Sequence, residues 1–343
     1  MTSVMWAGLV ATCCVASTIG TEAVRRLALR HDVLDVPNAR SSHVRPTPRG
    51  GGLAVVLAVG AAWAVAAALD PGVRSTWLPV AVLIVAGVSA LDDVRTLSAG
   101  TRFVAQSAAA AILIAGVGAW TAVELPLVGR MPIGVFGIPL TALWIVGLTN
   151  AYNFMDGIDG IAGGQAVAAG VTWATIGASL GVPVVALVGA LVAAAAAGFL
   201  AHNWAPARIF MGDTGAASLG FTFAALPLVA IPDAAAAARL PLAGLLAVCP
   251  FVFDAVFTVL QRVRRGERLT EAHRSHLYQR LVAAGWTHQQ AAGLYTGLAV
   301  ATGGVGVRWV VAGGGWAAIA GFAIVPLALW VMTRRAERFQ RTA

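Results

Sequence analysis

Apolar blocks of about 20 residues recur along the whole chain, with short polar segments between them. A membrane-spanning helix needs roughly 20 apolar residues, so each block predicts one span. The blocks lie near residues 4–24, 51–69, 76–91, 101–120, 138–154, 161–180, 183–202, 214–232, 238–261, 288–307 and 310–332. The pattern therefore predicts an all-α polytopic membrane protein with about eleven transmembrane helices.

The composition agrees with this prediction. Of the 343 residues, 59% are hydrophobic and 11% are charged, and a soluble surface needs far more charge. These values exclude a secreted disulfide scaffold, a nucleic-acid-binding module and a soluble dinucleotide-binding enzyme. Because the sequence contains no linker long enough to separate a second domain, residues 1–343 are predicted to form a single integral-membrane domain.

The basic residues predict the orientation in the membrane. All 23 are arginine, and with the N-terminus outside and the C-terminus inside, 19 lie on the inner side and four on the outer side. The positive-inside rule favours this topology. No basic residue precedes the first block, so we expect a retained helix and not a cleaved signal peptide. On the outer side, prolines and a glycine turn near residues 123–134 predict a short β-hairpin.

Five carboxylates lie at predicted helix ends on the inner side. Asp92 and Asp93 end the third span, Asp156 and Asp159 end the fifth, and Asp213 precedes the eighth. A carboxylate in hydrocarbon costs a few kcal/mol unless it is paired, hydrated or metal-bound, so these acids are functional candidates. Taken alone, the Asp92-Asp93 pair fits a hydrated turn as well as it fits a cation site.

Amides and glycines surround these acids. Residues Asn150–Gly160 contain two amides, two acids and two glycines, in a spacing that does not match a calcium-binding loop. In Phe210–Gly215, Asp213 lies between glycines at a predicted helix N-terminus, where a phosphate, or Mg²⁺ bridging one, is favoured. The alternative is that Asp213 is the N-cap of the eighth helix.

Two inner loops carry basic residues that suit anionic ligands. A proline- and glycine-rich loop passes through Arg49, and residues 262–287 contain His273, Arg274 and His276. The alternatives are a stiff connector for the first loop and binding of anionic lipid headgroups for the second. Zinc is disfavoured, because no third nitrogen or sulfur ligand lies near the histidines. Acids for Mg²⁺ and arginines for phosphates at a membrane boundary indicate phosphoryl transfer to or from a lipid.

Five motifs occur in order between about residues 35 and 282. They are Asp35-Val-Pro-Asn-Ala-Arg-Ser-Ser-His, Asp92-Asp93, Asn150-x-x-Asn-x-x-Asp-Gly-x-Asp-Gly, Phe210-Met-Gly-Asp-Thr-Gly and His273-Arg-Ser-His-Leu-Tyr-Gln-Arg. This set resembles the polyprenyl-phosphate N-acetylhexosamine-1-phosphate transferases, which start O-antigen, capsule and teichoic-acid chains and are related to phospho-N-acetylmuramoyl-pentapeptide transferase. The resemblance implies transfer of a sugar 1-phosphate from a UDP-sugar to undecaprenyl phosphate, with release of UMP. It also implies a requirement for Mg²⁺, with Mn²⁺ as an alternative.

The resemblance further implies roles for single residues. The expected catalytic residues are Asp92, Asp93, Asp156 and His273, and Asp92 is the expected base that deprotonates or orients the lipid phosphate. Asp213 and Asn153 are expected to hold Mg²⁺. The expected substrate-binding residues are Arg49, Arg102, Asp159, Asn203, Phe210, Arg274 and His276, of which Asp159, Asn203 and Phe210 match a uridine pocket. Direct attack by the lipid phosphate and a covalent aspartyl-phosphate route both stay open.

Departures from the pentapeptide enzyme bear on the sugar. That enzyme is expected to have three consecutive histidines in the last loop and a lysine in the first, where this chain has His273-Arg-Ser-His and Arg49. A UDP-N-acetylhexosamine is therefore favoured, and the pentapeptide transferase is the alternative. The last loop fits N-acetylfucosamine or N-acetylquinovosamine donors as well as N-acetylglucosamine.

A membrane transporter or lipid flippase is the alternative from another class. Its polar site would be expected near the bilayer midplane in repeated halves, whereas the acids here cluster on one face and the sequence has no evident repeat. The expected location is the bacterial inner (plasma) membrane, with the active site on the cytoplasmic face. Expected partners are the two substrates and membrane lipids, with a homodimer as one option and no nucleic acid.

Overall fold

The computed structural model describes residues 2–37, 45–230, 237–268, 274–313 and 315–342. Within these residues the chain forms thirteen α-helices. They are α1 (Ser3–Arg30), α2 (Gly52–Leu69), α3 (Trp77–Arg95), α4 (Ala99–Val117), α5 (Gly137–Met155), α6 (Ile161–Leu180), α7 (Pro183–Asn203), α8 (Gly212–Val229), α9 (Leu240–Ala247), α10 (Cys249–Arg264), α11 (Leu277–Ala283), α12 (His288–Ala312) and α13 (Gly315–Thr342). The predicted all-α polytopic architecture is confirmed.

The predicted count of eleven spans is not confirmed. In the part of the chain that the structure describes, eight helices are long and apolar enough to cross a membrane, or nine if a bent pair counts as one span. Helices α6 and α8 do not meet this criterion, and both are central: 13 of 20 residues in α6 and 16 of 18 in α8 are buried. Helices that face protein and not lipid can carry small and polar residues, which lowers their hydropathy. The orientation of the bundle in the membrane stays a prediction.

The predicted span 238–261 is instead two helices, α9 and α10, which meet at 72°. Val248 has a non-helical conformation at the junction, and Pro250 follows in the first turn of α10. Proline has no N–H to donate and its ring clashes with the preceding turn, which breaks a helix at this point. The bend gives α10 an apolar outer face, while its inner face buries Asp254, Thr258 and Arg262.

Two short antiparallel strand pairs accompany the helices. Strands β1 (Leu34–Asp35) and β2 (Thr47–Pro48) pair in the first inner loop, where the sequence predicted only an irregular path. Strands β3 (Ala122–Leu125) and β4 (Gly129–Pro132) form the predicted hairpin. Leu127 and Gly129 have positive φ angles of 64° and 90°, which close the three-residue turn. The hairpin is thus confirmed, and its location outside the membrane stays a prediction.

Helix α8 connects the ends of the acid-bearing helices. It packs against α3 and α5 along its length, and against α2. The acids of α3 and α5 lie at the C-terminal ends of these helices, and Asp213 lies in the first turn of α8. Because α8 begins where α3 and α5 end, the three groups of acids predicted from the sequence come together at one end of the bundle.

Candidate active site

The carboxylate of Asp93 holds the N-terminus of α8. One oxygen accepts a hydrogen bond from the backbone N–H of Asp213 at 2.9 Å, and the other accepts from the backbone N–H and the hydroxyl of Thr214 at 3.0 and 2.6 Å. The first N–H groups of a helix lack partners within the helix, and a carboxylate stabilises its positive end. The alternative that Asp213 is the N-cap is therefore wrong, because Met211 has that position and Asp93 supplies the acceptor.

Arg102 connects the carboxylates of α3 and α8. Its Nη1 atom donates to Oδ2 of Asp92 at 3.0 Å and to Oδ2 of Asp213 at 3.3 Å. The other oxygen of Asp92 accepts a hydrogen bond from the backbone N–H of Leu97. The side chain of Asn153, from the last turn of α5, lies near the carboxylate of Asp213. Residues from the ends of α3, α5 and α8 thus meet in one acidic centre, which consists of Asp92, Asp93, Asn153, Asp156 and Asp213. Arg102 of α4 pairs with two of its carboxylates.

The acidic centre has more negative charge than its own arginine balances. Burial, together with the carboxylates of Asp213, Asp93 and Asp159, raises the pKa of Asp156 to about 7. Like charges held close together disfavour ionisation, and a bound cation relieves the repulsion. The available donors are carboxylate and amide oxygens, which Mg²⁺ prefers.

No three His, Cys, Asp or Glu side chains form a ready-made metal cluster in the described ranges. Mg²⁺ often takes only one or two carboxylates from the protein and completes its shell with water and substrate phosphates. The residues present therefore fit Mg²⁺ held jointly by Asp213, Asn153 and a phosphorylated ligand.

The loop before α2 is joined to the loop before α8 by backbone hydrogen bonds. The carbonyl of Pro48 accepts from the N–H of Phe210 at 2.8 Å, while Gly51 and Gly52 donate to the carbonyls of Phe210 and Met211 at 2.9 and 2.8 Å. Gly52 also packs directly on α8, since a Cβ atom at this position would lie 2.2 Å from the Cα atom of Gly215. The glycines permit this approach because they have no side chain.

This junction brings Arg49 to the acidic centre. Its Nη2 atom donates to the main-chain carbonyl of Asp93 at 2.6 Å. The buried Nε atom of the same guanidinium has no hydrogen-bond partner among the described residues. Arg49 and Arg102 therefore both place positive charge at the centre, and phosphate binding by them stays a prediction.

The residues expected to bind uridine come together beside the acidic centre. Asn203 accepts from the N–H of Gly160 at 3.0 Å and donates to the carbonyl of Ile209 at 2.9 Å. Asp159 accepts from the N–H of Ala207 at 3.0 Å. These bonds fasten the turn between α5 and α6 to the segment between α7 and α8, which continues to the half-buried Phe210. The grouping agrees with the sequence analysis, and uridine binding itself stays a prediction.

Sequence reasoning missed His288, which begins α12. Its Nδ1 atom lies 3.3 Å from Oδ1 of Asp159. The adjacent Gln289 donates to the carbonyl of Ala205, so the start of α12 closes one side of the same group. No motif marks these residues. The one signal in the sequence is a histidine at the inner end of the span predicted from residue 288.

The basic loop before α11 is described in part. His273 lies outside the described residues. Arg274 is exposed, and His276 is buried, with its Nδ1 atom 3.1 Å from Oδ1 of Asp254. Sequence reasoning also missed Asp254, although an acid in the middle of an apolar block is itself a signal of function in a membrane protein.

The fold is that of a multi-pass membrane protein, and the acidic centre fits the chemistry of phosphoryl transfer. Residues 75–231 match the family described as Glycosyl transferase family 4. The chain belongs to this family, since relatives with 32% and 34% identity align with about four fifths of it. The expectation drawn from the motifs is confirmed at the level of the family.

Three of these relatives come from different bacteria. The "Probable undecaprenyl-phosphate N-acetylglucosaminyl 1-phosphate transferase" of Bacillus subtilis is 32% identical over 79% of this chain and 75% of its own length. The decaprenyl-phosphate N-acetylglucosaminephosphotransferase of Mycolicibacterium smegmatis is 32% identical over 82% and 76%. The phospho-N-acetylmuramoyl-pentapeptide-transferase of a Synechococcus species is 34% identical over 77% and 79%.

Proposed function

We propose that the protein transfers an N-acetylhexosamine 1-phosphate from a UDP-sugar to undecaprenyl phosphate. The products are UMP and the lipid-linked sugar diphosphate on which a cell-envelope glycan is started. The main support is the acidic centre flanked by Arg49 and Arg102 at the ends of membrane helices. The names of the relatives support a polyprenyl phosphate acceptor.

In the proposed reaction, an oxygen of the lipid phosphate attacks the phosphorus attached to the sugar. A new P–O bond forms to the lipid phosphate, the P–O bond to the uridylate breaks, and UMP leaves with the bonding electrons. Two phosphorylated substrates must approach each other, so their negative charges have to be neutralised. Catalysis of such a transfer consists largely of positioning and electrostatic stabilisation.

The chain supplies groups for each of these tasks. Asp92 orients the lipid phosphate or accepts its proton. Arg102, which forms ion pairs with Asp92 and Asp213, would also contact the donor diphosphate. Asp213 and Asn153 would hold Mg²⁺, which when bound neutralises phosphate charge and polarises the P–O bonds. Asp93 fixes Asp213 through the N-terminus of α8.

Donor recognition is assigned to the group formed by Asp159, Asn203 and Phe210, with His273 and Arg274 on the diphosphate. We favour an N-acetylhexosamine over the pentapeptide-bearing donor because Arg49 and the last loop differ from the lysine and the three consecutive histidines expected in the pentapeptide enzyme. The pentapeptide transferase is kept as the second candidate, since one such enzyme is 34% identical to this chain. The proposed location is the bacterial plasma membrane, with the site on the cytoplasmic face.

The test is release of UMP by purified protein in detergent with undecaprenyl phosphate, with and without Mg²⁺. The donors are UDP-N-acetylglucosamine, UDP-N-acetylfucosamine, UDP-N-acetylquinovosamine and the UDP-linked muramoyl pentapeptide. Asp213→Asn is compared with Asp70→Asn, which removes a carboxylate beyond the opposite end of α2. We expect Mg²⁺-dependent UMP with an N-acetylhexosamine, a loss of at least about 100-fold in Asp213→Asn, and unchanged turnover in Asp70→Asn.

Turnover with the pentapeptide donor alone would replace the main proposal by its alternative. Folded protein that releases no UMP from any of the four donors would contradict both. Equal losses in Asp213→Asn and Asp70→Asn would show that the acidic centre is not the site of the reaction.

A further inference from the structure

Asp254 takes no part in the proposed chemistry, and yet its carboxylate is fully buried and accepts several hydrogen bonds. We propose that Asp254 is a positioning residue for the donor diphosphate, because it fixes the start of α11 and with it the loop that carries Arg274. This inference rests on the proposed function and adds a residue to the same site.

The carboxylate of Asp254 holds the first turn of α11. Oδ1 accepts from the N–H of Leu277 at 2.9 Å, and Oδ2 accepts from the N–H of Tyr278 at 3.2 Å. The imidazole Nδ1 atom of His276 lies 3.1 Å from Oδ1. His276 also forms the cap of α11, since its own backbone N–H donates to the side chain of Gln279 at 3.2 Å. Three consecutive residues at the start of α11 are therefore held by one acid on α10.

Two hydroxyl groups hold the acid itself in place. Thr258, one turn further along α10, donates to Oδ1 at 3.0 Å, and Tyr295 of α12 donates to Oδ2 at 2.5 Å. Asp254 thus joins α10, α11 and α12. A buried carboxylate is costly unless it is fully hydrogen-bonded, and its removal would leave several buried donors without an acceptor. These hydrogen bonds therefore restrict the orientation of α11 relative to α10 and α12.

The same helix α11 contacts the turn that carries Asp156. The hydroxyl of Tyr278 donates to the carbonyl of Phe154 at 3.4 Å, and a Cβ atom at Gly157 would lie 2.1 Å from that hydroxyl. Gly157 directly follows Asp156 in the chain. Through α11, Asp254 therefore acts on two parts of the site. One is the turn that carries Asp156, and the other is Arg274, which precedes His276 by two residues.

The test is a double-mutant cycle between Asp254 and Arg274, with donor KM, acceptor KM and kcat measured by UMP release. Asp254→Asn is expected to lower kcat/KM by about 10- to 100-fold, mainly through a higher KM for the UDP-sugar. The KM for the polyprenyl phosphate is expected to stay unchanged. In the Arg274→Ala background the effect of Asp254→Asn should shrink to less than about 2-fold, because the group that it positions is gone.

Gln165→Leu is the matched control. Gln165 is also fully buried and polar, but among the described residues its side chain makes one hydrogen bond, to the carbonyl of Ala247, and none to α11. Its effect on kcat/KM should be the same with and without Arg274. Tyr295→Phe removes only one of the hydrogen-bond donors to Asp254, so this variant replaces Asp254→Asn in the test if Asp254→Asn does not fold. It should raise the donor KM about 2- to 10-fold.

The outcomes separate this inference from the proposed function. A wild-type protein that releases no UMP defeats the proposed function. If the wild-type protein is active, the inference is overturned by either of two results. Asp254→Asn or Tyr295→Phe leaves the donor KM unchanged, or the variant raises the donor KM and the acceptor KM equally. An effect of Asp254→Asn that is as large without Arg274 as with it also overturns the inference.

Discussion

A methyl group at Gly52 would occupy space that α8 already fills. The added Cβ atom would lie 2.2 Å from Cα and 2.6 Å from N of Gly215, and 2.9 Å from the carbonyl oxygen of Met211. All three are backbone atoms, so no side-chain rotation relieves the contact. Gly60 lies in the same helix, and a Cβ atom added there would meet nothing within 4 Å. Gly52→Ala and Gly60→Ala are therefore the same change in the same helix, with and without an obstacle.

The size of the effect follows from the contact distance. Non-bonded carbon atoms pack at about 3.5–4.0 Å, so the ends of α2 and α8 must separate by more than about 1 Å to admit the methyl group. Overpacking of this kind typically costs about 1–3 kcal/mol. The movement displaces the first turn of α8, and Asp213 with it, relative to Arg102. A misplacement of about 1 Å can lower a rate by about 100-fold, which is the loss of kcat/KM expected for Gly52→Ala.

Both variants are measured by UMP release and by thermal unfolding in the same detergent. Gly60→Ala is expected to retain kcat/KM within about 2-fold of wild type, since surface substitutions away from tight contacts change stability by less than about 0.5 kcal/mol. Gly52→Ala is expected to lose both activity and unfolding temperature. If Gly52→Ala behaves like Gly60→Ala in both assays, the contact between α2 and α8 does not position Asp213, and the reasoning is refuted.

Three further substitutions test separate parts of the structure. Asp93→Asn replaces one of the two accepting carboxylate oxygens by an NH2 group that can only donate, so it should lower the free energy of unfolding by about 1–3 kcal/mol; an unchanged value would contradict its role at α8. His288→Gln removes the ring beside Asp159 and should raise donor KM about 2- to 10-fold, and an equal rise in acceptor KM would argue against a donor-specific role. Glu124→Gln breaks the 3.0 Å ion pair with Arg239, and the free energy of unfolding should change by less than about 1 kcal/mol because the pair is partly exposed. A loss of turnover in this variant would contradict the placement of the reaction at the acidic centre.

The acidic centre could be predicted because its residues lie where apolar blocks end. Asp92 and Asp213 are marked by hydropathy alone, and the ends of neighbouring helices on one side of a bundle are close in space. The partner of each acid could not be predicted in this way. Successive residues of a helix point about 100° apart, so Asp92 faces Arg102 while Asp93 faces α8. The sequence does not reveal the rotation of α3 that decides between the two.

Other features depend on contacts that hydropathy does not register. The count of eleven spans is not confirmed, because α6 and α8, which are largely buried, do not reach the length and apolarity that mark a span among the described residues. Asp254 escaped notice because its partners His276 and Tyr295 lie 22 and 41 residues away in the chain. No local pattern connects these three positions. The hairpin between β3 and β4, by contrast, is encoded within a dozen residues and was predicted correctly.

The bonds between Asp93 and α8 have a consequence for the order of events during synthesis. The two partners are 120 residues apart in the chain, and ribosomes add about 5–20 residues per second. Roughly 6 to 24 seconds therefore pass between the emergence of Asp93 and that of the helix whose N–H groups it accepts. During this interval Asp93 lacks the N–H groups of α8 that it later accepts, whereas the partners of Asp92, Leu97 and Arg102, follow within ten residues. The nascent chain thus contains Asp93 well before it contains the helix whose N-terminus this carboxylate holds.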